Sequence, residues 1–176
     1  MKHQFVILLA LFASSLSATA QSSPDSVFIR PHYKNGSSPL KLDYSVDGKH
    51  WNLIDYPLFS SDYGPWGSEK KLHDVVLRYD GKRYSAEFIP SPKNPQVGIT
   101  ESEDLVLWKP QDYPRLSDSA FAAKSRELAA AAKSCMLKVP YRDVLLLRQR
   151  AQAAAANAKN EQENIIQSGA VLNKSA

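Results

Sequence analysis

The chain has 176 residues, 43% of them hydrophobic and 23% charged, with 17 aromatics (3 Trp, 8 Tyr, 6 Phe). That composition excludes a wholly disordered chain and fits one globular domain or slightly more. A single cysteine, Cys135, excludes an internal disulfide framework and a cysteine-based zinc site. The net charge of +4 is not gathered into basic runs, which argues against nucleic acid as a partner.

Residues 1–20 open with Lys2, continue through the apolar run Phe5–Phe12 and end on Ala18-Thr-Ala20. A basic start, a short apolar stretch and an Ala-x-Ala ending predict a cleaved signal peptide, with a mature chain from Gln21 that is secreted or periplasmic. The apolar stretch is too short to span a bilayer, so the protein is expected not to be membrane-spanning. In an oxidising compartment Cys135 is then a lone thiol, read as a small buried apolar residue or as a half of an intermolecular pair.

Residues 21–116 form a first region. Val27–Tyr33, Leu40–Val46, Val75–Tyr79, Tyr84–Ile89 and Val97–Thr100 are predicted strands, separated by turns such as Lys34-Asn-Gly-Ser, Asp47-Gly48 and Pro90-Ser-Pro-Lys-Asn-Pro. Asp80-Gly81 between two apolar runs predicts a two-residue type I′ hairpin. Residues 117–176 change character. Ser117–Ser134 and Tyr141–Ser168 are rich in Ala and free of Pro and Gly, which predicts two helices. Ser117 or Ser119 is the expected cap of the first, Pro140 suits the first turn of the second, and Gly169 is the expected stop. Val144, Leu147, Ala151, Ala154, Ala158 and Ile165 form one stripe at helical spacing. With Cys135–Val139 as the connection, the expectation is a helical hairpin with a frayed C-terminal end. The fold class is therefore α+β.

An internal repeat lies within the first region. Ser45-Val-Asp47-Gly-Lys-His-Trp51 and Ser102-Glu-Asp104-Leu-Val-Leu-Trp108 share the pattern Ser-x-Asp-x-x-x-Trp, each identity offset by 57 positions. Upstream, Leu40 meets Val97 and Leu42 meets Ile99, so the match extends into the flanking hairpins. Repeats of small antiparallel sheets point to a β-propeller. Asp and Ser at a strand end fit a turn-capping role, and the Trp fits a plug between neighbouring sheets. Tyr63 and Trp66, in the Gly/Pro loop Asp62–Gly67, fit either a displayed sugar-stacking platform or packing that anchors the loop.

Asp80-Gly-Lys-Arg-Tyr84, Val97-Gly-Ile-Thr100 and Ser102-Glu-Asp-Leu-Val-Leu-Trp108 resemble a blade of the five-bladed propeller glycoside hydrolases of families 43 and 32, which include arabinosidases and xylosidases. Ser45-Val-Asp-Gly-Lys-His-Trp51 is similar to the corresponding segment of their first blade, and His73-Asp74-Val75 stands where the family has Arg-Asp-Pro. The resemblance runs from Val27 to Trp108, about 1.5 blades of a truncated propeller. It implies carbohydrate as ligand and Asp74 as one of three acidic positions; His73 beside it, and Tyr63 and Trp66 from their Gly/Pro loop, are the substrate-binding candidates.

Hydrolysis needs two carboxyl groups across the scissile bond. One repeat before Asp74 lies Ser17, inside the signal peptide, and the chain turns helical where a later blade would supply the acid. Glu87, on the neighbouring strand, is the candidate partner of Asp74. Asp43, Asp55, Asp62 and Glu101 are further acids of this region, most of them read as solvated surface charges. His32, His50 and His73 lack metal-ligand spacing, so neither a metal nor another cofactor is implied, and no Gly-x-Ser-x-Gly elbow is present. The sequence thus leads to a glycosidase-like module with no complete catalytic site that binds glycan. The alternatives are an active glycosidase with a minimal or shared site around Asp74, and an extracytoplasmic assembly protein. Fewer than two blades leave open edges and apolar faces, which the helices are expected to cover; otherwise self-association or a partner would supply the missing blades.

Overall fold

The computed structural model describes residues 24–64 and 70–172; the signal-peptide expectation and Trp66 lie outside the described residues. In chain order the elements are β1 (Ser26–His32), β2 (Leu40–Ser45), β3 (Asn52–Phe59), β4 (His73–Tyr79), β5 (Tyr84–Ile89), β6 (Gly98–Ser102), α1 (Asp118–Ala132), β7 (Leu137–Pro140) and α2 (Tyr141–Leu172). The seven strands make two antiparallel sheets, one ordered β3-β2-β1-β7 and the other β4-β5-β6. The α+β class follows the expectation.

Alternation of side chains along each strand decides which way the sheets face. In the first sheet Val27, Ile29, Leu40 and Leu42 are fully buried, while Arg30 and His32 on the opposite face are exposed. The buried face packs with Val75, Leu77, Tyr84, Ala86 and Phe88 of the second sheet in one core, which Val144 and Leu147 of α2 complete. The other face of the second sheet carries Val76 and Ile89, and Leu128 of α1 closes over them in a separate cluster. Ser117 caps α1, its side chain accepting from the Ala120 N–H.

Four expectations need correction. Residues Cys135–Val139 are not a plain connection between paired helices, because Leu137–Pro140 form strand β7 against β1, with Val27 opposite Val139. The helices consequently part: α1 lies on β4 and β5 of the second sheet, α2 on β3, β1 and β7 of the first. The apolar stripe of α2 is used only at its start. Val144 and Leu147 are buried and Ala151 half-buried, but every residue from Gln152 to Ile166, including Ala154, Ala158 and Ile165, is exposed. Gly169 does not end that helix, which runs on to Leu172. The Asp80-Gly81 turn is also longer than expected. Tyr79 pairs with Tyr84, so four residues make the loop; only Gly81 has a positive φ (+97°), and the Asp80 carboxylate accepts from the Lys82 and Arg83 N–H groups at 2.8 and 2.7 Å. Asp80 is held well below its ordinary pKa by those two N–H donors, Arg83 foremost.

The two motif turns are built alike. Asp47 Oδ1 accepts from the N–H groups of Lys49 and His50, both at 2.8 Å; 57 residues on, Asp104 Oδ1 accepts from Val106 and Leu107 at 2.9 and 2.8 Å. Each Asp also bonds the motif serine, Ser45 at 3.0 Å and Ser102 at 3.2 Å. Gly48 has φ +73° and its counterpart Leu105 φ +65°, so both turns pass through the left-handed region at the same place. After each turn the chain runs back along the strand before it. Asn52 faces Tyr44, and 57 residues further Lys109 donates to Glu101 at 2.8 Å, with Asp112 and Ile99 exchanging two bonds at 2.9 Å. On the other side, Phe28 faces Ser45 whereas Tyr84 faces Ser102, so the first strands of the two hairpins are offset by 56 rather than 57. One added residue in the β5–β6 connection accounts for the slip. The motif tryptophans face different neighbours: Trp108 packs on Phe59 between the sheets at 5.0 Å, while Trp51 lies on the outer face with the Arg30 guanidinium 4.2 Å from its ring.

Candidate functional site

The start of β4, the β1–β2 loop and the β5–β6 loop meet at one end of the two sheets. The Gly36 N–H donates to the Leu72 carbonyl at 2.8 Å and the Leu72 N–H to Ser37 at 3.2 Å, tying the β1–β2 loop to the approach of β4. Beyond that tie the β4–β5 register slips between His73 and Val76. Asp74 sits in the slip with φ +51°, a conformation that few side chains other than Asn and Asp tolerate. Two side chains of the β1–β2 loop hold it there. The Asp74 N–H donates to Asn35 Oδ1 at 3.0 Å, and the Val75 N–H donates to the Tyr33 hydroxyl at 2.8 Å. Burial pushes the Tyr33 phenol above its ordinary pKa and the nearby Asp74 charge adds to that, with the Val75 N–H pulling the other way.

His73 opens β4 opposite Ile89 and lines a cavity of about 580 Å³ with Lys71, Ser91, Pro92, Lys93 and Asn94. Its Nε2 is buried and makes no hydrogen bond with the described residues. Gly36 leaves room for the imidazole, since a Cβ there would sit 3.0 Å from His73 Cε1. The far wall comes from the β5–β6 loop, whose Asn94 N–H donates to Ser91 O at 3.3 Å. Among the described residues lining this cavity none is acidic. Lys71 and Lys93 are exposed and form no ion pair with a described residue.

Glu87 is placed differently. It lies opposite Val76, and its side chain, 18% exposed, is under α1 in ion pairs with Arg78 and with Lys124 at 3.1 Å. Burial raises its pKa, but the hydrogen bonds from Lys124 and Arg78 outweigh that and hold the carboxyl below its ordinary range. Asp74 is held by the β1–β2 loop and Glu87 by a helix, and among the described residues no hydrogen bond or ion pair joins them. Tyr63 is anchored: its hydroxyl donates to Gln96 Oε1 at 2.6 Å and its ring lies 5.0 Å from Tyr113. The other four acids weighed as candidates, Asp43, Asp55, Asp62 and Glu101, have partners too. Asp43, only 7% exposed, is not a solvated charge; it pairs with Arg30 at 2.9 Å and lies 3.0 Å from His32. Asp55 meets Lys41, Asp62 accepts from Tyr113 at 2.7 Å, and Glu101 meets Lys109 at 3.0 Å.

The sequence pointed to Asp74 and His73 but not to Lys71, Lys93, Ser91, Asn94, Asn35 or Tyr33 around them. Their loops read only as turns, and the pairing of His73 with Ile89 is what brings them to one place. Among the described residues there is no cluster of three or more His, Cys, Asp or Glu side chains able to hold a metal, and no helix long and apolar enough to cross a membrane. Comparison with protein-family models, curated proteins and solved structures finds no match to this chain.

Proposed function

We propose that this chain is a secreted, propeller-derived module of carbohydrate processing, related to the family 43 and 32 glycoside hydrolases, that binds glycan at the β4 end without hydrolysing it. The blade reading is supported by the shared plan of the two sheets. Each places a hairpin and an Asp-capped turn in sequence, with a returning segment beyond, and the motif Trp of the second sheet packs on the first as a blade packs on the one before it. The strand flanking β1, which is β7, holds the place that β4 holds beside β5.

One observation carries the non-hydrolytic reading, namely what stands where a second carboxylate is needed. β7 and the residues leading into it, Lys133-Ser-Cys-Met-Leu-Lys-Val-Pro140, contain no acid. Glu87, the other candidate, is an ionised partner of Arg78 and Lys124, the opposite of the raised-pKa acid that glycoside hydrolysis requires. Asp74 is left as a single carboxylate, next in sequence to the His73 that lines a cavity of sugar size. The test is turnover of aryl arabinosides and xylosides, run beside a glycan array. Saturable glycan binding without turnover is expected. Turnover that disappears in Asp74→Ala would overturn the proposal in favour of an active enzyme.

A further inference from the structure

We infer that the cavity beside His73 recognises an anionic substituent, a carboxylate or a sulfate ester, on the sugar it binds; this deepens the glycan-binding reading and rests on it. Among the described lining residues the charge is of one sign. Lys71 comes from the approach to β4 and Lys93 from the β5–β6 loop, so two ammonium groups reach the cavity from separate segments, and none of the described lining residues is acidic. Neither lysine is neutralised by a described carboxylate. Other lysines such as Lys34, Lys49 and Lys82 have no described acidic partner either; what distinguishes Lys71 and Lys93 is that both line one cavity. A concave site lined by one sign of charge concentrates field at its mouth and draws in the opposite sign.

The rest of the lining suits a polyhydroxylated ring. Ser91 and Asn94 offer neutral hydrogen-bonding groups, and Pro92 offers an apolar patch. His73 Nε2 is buried with no hydrogen-bond partner among the described residues. Gly36 keeps the imidazole in place, because any larger residue there would press on the ring. Two cations converging on one cavity beside neutral donors suit an acidic monosaccharide unit rather than a neutral pentose.

The experiment titrates the full chain by calorimetry with three oligosaccharides of equal length: an oligogalacturonate, a sulfated galactan oligomer and a neutral xylan oligomer. Inorganic sulfate is added separately while the His73 imidazole resonances are followed by NMR. The double variant Lys71→Gln, Lys93→Gln is compared throughout; both side chains are exposed and make no contact that the fold needs, and its melting temperature checks this. At least one charged oligomer is expected to bind roughly tenfold or more tighter than the neutral one, and the tighter of the two names the substituent. That advantage should shrink in the double variant and between about 50 and 500 mM salt, as exposed charges are screened. Equal affinity for neutral and charged oligomers, with no sulfate shift at His73, would overturn the anionic assignment and leave glycan binding standing. A sulfate shift lost in the double variant, but with no oligosaccharide bound, would keep the anion site and overturn the glycan reading on which the inference rests.

Discussion

Leu105 presents two opposed energetic terms at one residue, and their order is measurable. Its backbone is left-handed, φ +65°, which costs a residue with a Cβ about 1–2 kcal/mol. Its side chain is fully buried between the sheets, where truncation to Ala costs about 2–5 kcal/mol. The packing term wins, which is why a leucine stands here and a glycine at Gly48, whose neighbour at 3.7 Å is only the edge of Phe28. The turn is held by Asp104, so the strain cannot relax without releasing the Val106 and Leu107 N–H groups. Both Leu105→Ala and Leu105→Gly should therefore destabilise. In ordinary backbone Gly is worse than Ala by about 0.5–1 kcal/mol; here that order inverts, with the Gly variant more stable by about 1 kcal/mol because it alone relieves the strain. Gly48→Ala, where space is open but φ is +73°, isolates the strain and should cost about 1 kcal/mol. Urea denaturation followed by tryptophan fluorescence measures all three. A Leu105→Gly variant less stable than Leu105→Ala would refute the left-handed assignment, and a loss below about 1 kcal/mol in Leu105→Ala would refute the packing.

Tyr84→Phe removes the donor that the buried Tyr84 hydroxyl gives Asp143 at 2.7 Å in the first turn of α2, and should cost about 1–3 kcal/mol in urea denaturation. The Tyr84 phenol itself, raised by burial and then by its bond to Asp143, should show no phenolate absorbance where ordinary tyrosines titrate; its stabilisation is present below the ordinary phenol pKa and lost as pH rises through the folded one. Cys135→Ala should cost about 1–2 kcal/mol by leaving unmet the Leu77 N–H that now donates to Sγ at 3.2 Å, and Cys135→Ser should recover part of it. The native thiol, pushed up in pKa by burial against the opposing effects of the Leu77 N–H and Arg78, should react more slowly with iodoacetamide at pH 8 than a free cysteine peptide. Glu87→Gln should cost about 0.5–1 kcal/mol at pH 7. Because the folded pKa is depressed, that difference is fully present above the ordinary carboxylate pKa and should vanish as pH falls through the folded value, which a pH series of melting temperatures would show.

What could be read from the sequence was whatever local pattern decides. β1 and most of β5 alternate between buried and outward residues, and Ser117 caps α1 by a contact three residues long. β3 was hidden by Pro57 and by the register break that lets Leu40 face Phe59. β7 is four residues, Leu-Lys-Val-Pro, with no strand signal of its own; it is extended because β1 presents an unpaired edge more than a hundred positions upstream. Alanine content foretold both helices but not what they touch, since propensity says nothing of partners. Around the site, Asp74 was found by the company it keeps in sequence. The Tyr33 and Asn35 groups that hold its backbone lie some 40 residues away, and the burial of Asp43 depends on Arg30 of another strand.

β7 then explains why the helical region is tied to the β region rather than appended to it. Without it the β1 edge would present a row of open N–H and C=O groups, the usual template for unwanted pairing. Four residues of strand close it, and Val139 enters the core at 1% exposure. Two residues before it, Cys135 meets the Leu77 N–H on the open edge of β4, and one residue after it Tyr141 donates to Asp25 at 3.1 Å just ahead of β1. One short segment thus fastens both sheets, and its two helices leave in different directions because each covers a different sheet. The same placement bears on the chemistry. The position beside β1 is filled by residues that serve pairing and burial, Leu137 and Val139 among them, and Leu137–Pro140 contains no carboxylate.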